Sequence, residues 1–243
     1  MFHFQKFDLE HDKSTLKIGT DAVLLAALTQ SAPAKTVLDI GCGCGVIAFC
    51  LAQQLSENQI LPQIFGIDVD VDSILEAQGN AHRFPLLPES CLHFDCISLQ
   101  EFVNQQNSLK FDLIVSNPPY FHNDLKPLQN SRMKSKHGDG QLSFQELMDG
   151  VDALLSPQGR FALILPTKED IEFQELIKDK LFCRKVIFIR PTSAKPVFRV
   201  IREYVRTQQP VLEEHLSIRN AELQYTPEYL EIVKPYLTLT AKC

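Results

Sequence analysis

The feature that most constrains the fold of this chain is a regular alternation of short β-like runs with helical stretches. Strand-like runs of apolar and β-branched residues are predicted at 36–40, 63–67, 92–94, 113–115, 160–165, 186–189 and 198–205. Helical stretches are predicted at about 21–30, 46–54, 72–83, 143–155 and 169–179. Strands that alternate with helices form a parallel sheet with both faces covered. The sequence therefore predicts an α/β sandwich around a seven-stranded, mostly parallel sheet with helices on both faces.

Local signals in the second half of the chain predict two element boundaries. Ser143 stands three residues before Glu146, which is the spacing of a helix capping box. The run Ser156-Pro157-Gln158-Gly159 predicts a turn into the fifth strand. No stretch rich in Gly, Ser or Pro separates two domains. A single domain over 1–243 is therefore predicted, with an N-terminal extension (1–35), a core (36–210) and a C-terminal appendage (211–243).

Composition restricts the class of protein. With 44% hydrophobic residues the chain has enough apolar material for a substantial core. Its first residues lack a basic-then-apolar leader, and no apolar run approaches the ~20 residues of a membrane helix. Seven cysteines without a leader are expected to be reduced thiols in the cytoplasm. The net charge of −6 removes a general attraction to nucleic acid, so such a partner must meet a local basic patch.

A glycine-rich loop follows the first predicted strand, in the segment DIGCGCGVIAF (39–49). Gly41, Gly43 and Gly45 stand at alternate positions, which allows a tight turn and a close approach of backbone to ligand. A strand before and a helix after such a loop is the context in which it binds a nucleotide. Asp68, at the end of the second strand, is placed to accept from a ribose diol. A glycine-rich turn that binds nothing is the alternative.

Three cysteines, Cys42, Cys44 and Cys50, lie in or beside this loop. Zinc sites need C-x-x-C pairs or suitably spaced histidines, and the segment has neither. The thiols are expected to fill gaps beside the glycines, and no metal is expected.

The fourth strand ends in Ser116-Asn117-Pro118-Pro119-Tyr120. Prolines cannot donate to a ladder, so the strand stops there and the Pro118 carbonyl is held at a fixed angle. The segment is thus a rigid elbow with the Asn117 amide at its entrance and the Tyr120 ring at its exit. An ordinary strand-to-loop turn is the alternative, because Asn-Pro is a common turn starter.

The segment 39–45 resembles the first motif of class I S-adenosylmethionine-dependent methyltransferases. This resemblance implies a Rossmann-like methyltransferase sandwich that uses S-adenosyl-L-methionine and releases S-adenosyl-L-homocysteine. In that family the first acid and the glycines hold the methionine part, and the acid after the second strand holds the ribose. The matching positions are Asp39, Gly41, Gly43, Gly45 and Asp68. Asp95, after the third strand, fits the family's position near the adenine.

Residues 116–120 resemble the fourth motif, [DNS]-P-P-[YFW], of methyltransferases that act on a planar amine or amide nitrogen. The resemblance implies catalytic roles for Asn117, Pro118, Pro119 and Tyr120. An exocyclic amine is a weak nucleophile because its lone pair is delocalised, and acceptors on its N–H groups draw the nitrogen towards tetrahedral geometry. No metal and no strong general base is implied. The motif serves adenine N6, guanine N2 and glutamine amides alike.

The flanking segments resemble bacterial tRNA adenine-N6 methyltransferases that modify valine tRNA. LKIGTDAVLLAAL (16–28) is similar to their N-terminal signature, although Ala26 stands where the family often has Gly. RMKSKHGDGQLSFQEL, PTSAKPVFRV and YTPEY are similar to further segments of that family, so the resemblance spans nearly the whole chain. It implies N6 methylation of adenine 37, next to the anticodon, in the anticodon stem-loop of a valine tRNA. Thr20 and Asp21 are cofactor contacts by this resemblance and, read by themselves, an N-cap before an apolar helix.

Two basic stretches flank these motifs, one at 126–137 and one at 184–206. Beside a base-modifying motif in an acidic protein, they indicate a track for RNA phosphates, whereas a solvated face is the alternative. The predicted RNA contacts are Lys126, Arg132, Lys134, Lys136, His137, Lys195 and Arg199.

Two other functions share the loop and the fourth motif. One is N5-glutamine methylation of a peptide release factor, although such enzymes usually carry a helical N-terminal domain and only about 35 residues precede the first strand here. The other is an RNA-binding module that holds the cofactor without turnover. No feature of the sequence requires a dimer or a membrane, so a monomer with tRNA as its partner is expected.

Overall fold

The computed structural model describes residues 1–14, 17–29, 33–106, 108–118, 142–178 and 180–239. The strands are β1 (Phe2–His3), β2 (Asp8–Leu9), β3 (Thr36–Ile40), β4 (Gln63–Asp68), β5 (Leu92–Cys96), β6 (Phe111–Ser116), β7 (Leu155–Pro166), β8 (Phe182–Thr192), β9 (Arg199–Val205) and β10 (Leu212–Arg219). The α-helices are α1 (Thr20–Leu28), α2 (Val46–Glu57), α3 (Val71–Arg83), α4 (Leu99–Gln105), α5 (Phe144–Leu154), α6 (Thr167–Ile177) and α7 (Pro227–Val233).

One eight-stranded sheet organises the molecule, in the order β10-β8-β9-β7-β6-β3-β4-β5. Only β9 runs against its neighbours, since it pairs antiparallel with both β7 and β8 while the other pairs are parallel. The mostly parallel α/β sandwich is therefore confirmed. In the described residues this sheet has eight strands rather than seven, because the segment predicted as an appendage contributes β10 beside β8. The strands β1 and β2 form a separate antiparallel pair.

Helices cover both faces of the sheet, as the alternation predicts. One core cluster includes Leu24 of α1, Phe49 of α2 and Val233 of α7. The cluster on the other face includes Phe102 of α4 and Phe173 of α6. Because β3, β6 and the second half of β7 lie between the two layers, their sequences are mostly apolar.

The start of α5 confirms the predicted capping box. The Ser143 hydroxyl oxygen accepts from the Glu146 N–H at 3.2 Å, and the Glu146 carboxylate accepts from the Ser143 N–H at 2.8 Å. The turn predicted at 156–159 is wrong, since these residues lie inside β7. The pairing of β6 with β7 shifts in register between Phe111 and Leu113, and this irregularity accommodates the four residues. Gly159 fits there because a Cβ would lie 2.7 Å from the carbonyl oxygen of Phe111.

In the described part of the chain, two α-helices, α4 and α7, and three strands, β1, β2 and β10, escape the sequence patterns. The helix α4 has seven residues and α7 also has seven, which is too short for a clear apolar period. Each helix start is fixed by its cap. Ser98 forms a capping box with Glu101 at the start of α4. At the start of α7 the Thr226 side chain accepts from the Tyr229 N–H, and Pro227 is the first helical residue. None of the helices in the described part of the chain is long and apolar enough to cross a membrane.

Candidate active site

The glycine loop between β3 and α2 has a left-handed backbone at each glycine. The φ angles are 72° at Gly41, 54° at Gly43 and 91° at Gly45, a region that other residues enter at a cost. The N–H groups of Gly41 and Cys42 both donate to the Ile67 carbonyl oxygen, at 2.9 and 3.1 Å. A Cβ added at Gly41 or Gly43 would meet nothing within 4 Å. The loop is thus anchored to the end of β4 and leaves open space beside its first two glycines.

Asp39 lies under this loop and is fully buried. Its Oδ2 accepts from the Ala48 N–H in the first turn of α2, at 3.2 Å, while Oδ1 has no partner among the described residues. Burial raises the pKa of this carboxyl to about 7; the Ala48 hydrogen bond opposes the rise, and the charge of Asp68 adds to it. A buried carboxylate oxygen without a donor fits a ligand that brings an N–H or a positive charge.

Asp68 ends β4 and is held by the backbone on both sides. Its Oδ2 accepts from the Gly43 N–H at 2.9 Å and its Oδ1 accepts from the Asp70 N–H at 3.0 Å. Asp70 in turn caps α3, because its side chain accepts from the Asp72 N–H at 3.2 Å. Each oxygen of the Asp68 carboxylate keeps a lone pair for a hydroxyl donor. The acid is therefore fixed against the loop, as recognition of a diol requires.

The sheet register brings the end of β6 beside this loop. Ile40 of β3 lies opposite Ser116 of β6, and the Ser116 hydroxyl donates to the Ile40 carbonyl oxygen at 2.9 Å. Gly41 follows Ile40 at the end of β3, and Asn117 follows Ser116 at the end of β6. Parallel strands are about 4.8 Å apart, so the half-buried Asn117 follows its strand directly beside the glycine loop. Pro118 is buried.

Asp95 occupies the same carboxyl edge one strand further along. It lies opposite Ile67 in the β4–β5 register and is exposed. Asp39, the loop, Asp68, Asp95 and Asn117 therefore lie at or just beyond the carboxyl ends of adjacent strands, at the single edge where ligands of open α/β sheets bind.

Thr20 and Asp21 lie within α1 and do not cap it. The N-cap is Gly19, which makes no side-chain cap hydrogen bond, so the predicted N-cap is wrong. The helix begins one residue early because Gly19 itself supplies the extended backbone. The Asp21 side chain leaves the first turn of α1, and its Oδ2 accepts from Arg199 Nε of β9 at 2.7 Å. Two residues predicted for different partners, cofactor and RNA, thus form one ion pair.

Polar side chains of α3 join the N-terminal segment to the glycine loop. Asn80 is fully buried; it accepts from the Glu10 N–H at 2.8 Å and donates to the carbonyl oxygens of Glu10 at 3.0 Å and Cys44 at 3.1 Å. Glu76 accepts from the N–H groups of Lys13 and Ser14, at 2.7 and 2.9 Å, and from the Ser14 hydroxyl. Burial raises the pKa of Glu76, but the hydrogen bonds from Ser14 and Lys13 outweigh it, so the pKa is lowered.

Glu76 and Asn80 were not predicted from the sequence. A signal was present, since they stand four residues apart on the apolar stripe of α3, beside Ala77 and Ala81. Polar residues at such positions need internal partners.

The cysteines of the loop are buried thiols. Burial raises the pKa of Cys44 to about 11 and that of Cys42 well above its usual value, so both are protonated at neutral pH. The described residues contain no group of three or more His, Cys, Asp or Glu side chains that could hold a metal.

Several predicted site residues lie outside the described residues. They are Pro119 and Tyr120 of the fourth motif, and Lys126, Arg132, Lys134, Lys136 and His137 of the first basic stretch. Lys195 is described and exposed in the β8–β9 connection.

The chain is similar in sequence to known methyltransferases. Residues 12–182 match the family model described as a methyltransferase small domain. A tRNA1(Val) (adenine(37)-N6)-methyltransferase of Bacteroides fragilis is 33% identical over 236 residues, covering 97% of this chain and 96% of the relative. The protein of the same name from Photorhabdus laumondii is 32% identical, covering 97% of this chain and 94% of the relative.

The fold also has solved counterparts. A predicted O-methyltransferase from Agrobacterium tumefaciens aligns with a TM-score of 0.67 at 15% identity, covering 89% of this chain and 96% of that one. At this identity the likeness concerns the fold alone. The extent and identity of the sequence matches, by contrast, establish kinship: this chain belongs to the methyltransferase small domain family and to the family of the tRNA1(Val) (adenine(37)-N6)-methyltransferases.

Proposed function

We propose that this chain transfers the methyl group of S-adenosyl-L-methionine to N6 of adenine 37 in the anticodon stem-loop of a valine tRNA. The observation that carries the proposal is the placement of Asn117 beside Gly41, at the edge where Asp39 and Asp68 frame an open glycine loop. Relatives named for this reaction match nearly the whole length of the chain.

Asp39 and Asp68 suit two polar groups of the cofactor, the amine of its methionine part and the hydroxyls of its ribose. The unpartnered Oδ1 of Asp39 would accept from the amine of its methionine part, and Asp68 would accept from the ribose hydroxyls. Gly41 and Gly43 leave room for the cofactor to approach the backbone of the loop. We propose Asp95, Thr20 and Asp21 as further cofactor contacts. The bound cofactor supplies an electrophilic methyl group on a sulfonium.

The chain's own contribution to the reaction is to prepare and orient the amine. The Asn117 amide oxygen and the Pro118 carbonyl oxygen would each accept one N–H of the adenine N6 amine. These acceptors favour a tetrahedral nitrogen and stabilise the positive charge that develops on it, without reorganisation during the reaction. In this proposal Pro119 would fix the angle of the elbow, and Tyr120 would stack on the base to align it.

We also propose that the enzyme is monomeric and cytoplasmic and that it uses no metal. Its RNA contacts would include Lys195 and Arg199 at the sheet edge, together with Lys126, Arg132, Lys134, Lys136 and His137.

The experiment is methyl transfer from labelled cofactor to unmodified valine tRNA, DNA and a release factor in parallel, with nucleoside analysis of the product. We expect N6-methyladenosine in the tRNA at position 37. The variant Asn117→Ala should keep cofactor affinity and lose about 10²–10³-fold in kcat, because it removes one oriented acceptor.

Three outcomes would contradict the proposal. A labelled glutamine in the release factor would assign the same site to an amide substrate. Tight cofactor binding without turnover on any substrate would identify a binding module. Normal methylation by Asn117→Ala would refute the role given to the amide.

A further inference from the structure

The second basic stretch is mostly neutralised by carboxylates. The pairs are Arg184–Glu203 at 2.9 Å, Lys185–Glu214 at 3.0 Å, Arg199–Asp21 at 2.7 Å, Arg202–Asp170 at 2.7 Å and Arg206–Asp152 at 2.8 Å. Arg190 and Lys195 differ, since no carboxylate of the described residues lies within 4.0 Å of either. The available positive charge of the stretch is therefore concentrated at these two positions.

Arg190 belongs to a part of the sheet face that lies outside both core clusters. Along β8, Ile187 and Ile189 pack into the cluster that includes α1 and α7. Phe188 and Arg190 alternate with them and face the opposite side. There Phe188 is half-buried and belongs to neither core cluster of the described chain. His215 of β10 is its register partner and stacks on its ring, with centroids 5.3 Å apart and an interplanar angle of 25°.

The stacked histidine also orients the arginine. One guanidinium nitrogen of Arg190 lies 3.5 Å from His215 Nδ1, while His215 Nε2 pairs with Glu213 at 3.2 Å. An arginine fork has five N–H donors, so most of those of Arg190 remain for a ligand. Glu213 is more than half exposed and lowers the local positive charge only in part.

This surface lies on the active-site edge of the sheet. β8 runs parallel to β6, because each of β8 and β7 is antiparallel to β9 and β7 is parallel to β6. Arg190 near the end of β8 and Lys195 just beyond it are therefore at the same edge as Asn117. Three strand spacings separate β8 from β6, which is about 14 Å. An RNA strand of a few nucleotides spans that distance.

We infer that Phe188, Arg190, Lys195 and His215 form a docking surface for the RNA strand next to the methylated nucleotide of the tRNA. Arg190 and Lys195 bind backbone phosphates, and the Phe188–His215 stack is a platform for one unstacked base. Charge complementarity selects RNA as the occupant, because the two cations without carboxylate partners stand on an acidic protein at the edge that holds the proposed catalytic amide. The inference rests on the proposed tRNA substrate.

The test compares the double variant Arg190→Ala/Lys195→Ala with a control of equal charge change, Lys6→Ala/Lys178→Ala. The control lysines pair with Glu57 and Glu175 near the carboxyl ends of α2 and α6, at the opposite edge of the sheet. Affinity for unmodified valine tRNA is measured over a series of salt concentrations, and cofactor affinity and thermal unfolding report correct folding. A third variant, Phe188→Leu, keeps an apolar side chain and loses the ring.

We expect the double variant to bind tRNA about tenfold more weakly or worse, with a salt slope smaller by about 1–2. Phe188→Leu should weaken binding by about fivefold or more at an unchanged slope. In turnover, KM for tRNA should rise while kcat at saturating tRNA is kept. The control double variant should stay within about twofold of wild type.

Other outcomes overturn the inference. If wild type binds and methylates tRNA and the double variant matches its affinity and slope, the surface is wrong and the function stands. If wild type does not bind tRNA at all, the proposed function fails with it. If the double variant dissociates a wild-type dimer and leaves tRNA affinity unchanged, the face is a subunit interface.

Discussion

The buried acid under the glycine loop allows a sharp test through the variant Asp39→Asn. Asn keeps the size of the side chain and the oxygen that accepts from the Ala48 N–H, but it removes the ionisable group. Asp39 has a pKa raised from 3.8 to about 7, chiefly by burial. The folded chain thus holds this proton more tightly than the unfolded chain does.

The sign of the pH dependence follows from that difference. The contribution of Asp39 to the free energy of unfolding is fully present below the unfolded pKa and is lost as pH rises through about 7. At 1.36 kcal/mol per unit, the shift corresponds to about 4 kcal/mol over the whole window. Between about pH 5 and about pH 8, wild type should lose roughly 2–3 kcal/mol of unfolding free energy relative to Asp39→Asn.

The assay is urea unfolding of both proteins without cofactor across this pH range, with the two free energies subtracted at each pH. Subtraction cancels the titration of all other groups. Cofactor binding provides the second readout, because a cationic amine at Oδ1 favours the ionised acid. Wild-type affinity should therefore rise with pH up to about 7, by up to tenfold per unit, and Asp39→Asn should bind at least about tenfold more weakly without that rise.

A difference in unfolding free energy that stays constant from pH 5 to pH 8 would refute the raised pKa. Cofactor affinity unchanged in Asp39→Asn would refute the contact proposed for its open oxygen.

Three further substitutions test two supports of the site and one buried hydroxyl of the core by urea unfolding. Gly45→Ala should cost at least about 1–2 kcal/mol, because the backbone is left-handed and the new Cβ would lie 2.6 Å from the Phe49 ring; an unchanged stability would contradict this conformation. Glu76→Gln should cost about 2 kcal/mol at neutral pH, since it turns an acceptor of the Ser14 hydrogen bonds into a donor. That loss should shrink as pH falls through the lowered pKa of Glu76, and a pH-independent loss would argue against the charge. Tyr204→Phe should raise stability by about 1 kcal/mol, because its buried hydroxyl has no partner among the described residues; destabilisation would mean that the hydroxyl is bonded.

Local pattern was enough to predict the central elements. The strand 36–40 agrees with β3 residue for residue, and the helix after the glycine loop begins at Val46 as predicted. Apolar runs between turn residues constrain such segments strongly, because both faces of a central strand are buried. The C-terminal strand β10 was missed because its sequence, LEEHLSIR, is mostly polar and only Leu216 is buried. Pairing with β8, a tertiary property, makes it a strand.

The fate of the charged residues was likewise decided by tertiary structure. A run of arginines and lysines along 184–206 is uniform as a sequence, yet five of its members face carboxylates from α1, α5, α6, β9 and β10. Those partners lie up to about 180 residues away along the chain, as with Asp21 and Arg199. No local pattern contains that information.

The sequence by itself determined the α/β order, the tight glycine turn and the family, because each is encoded in adjacent residues. Only the tertiary structure decided that Asn117 lies beside Gly41. It also decided that, among the described residues, one oxygen of Asp39 has no donor and Arg190 and Lys195 have no carboxylate partner. The physical reason is that register, burial and pairing depend on contacts between strands and helices far apart in the chain, which local residue preferences do not specify.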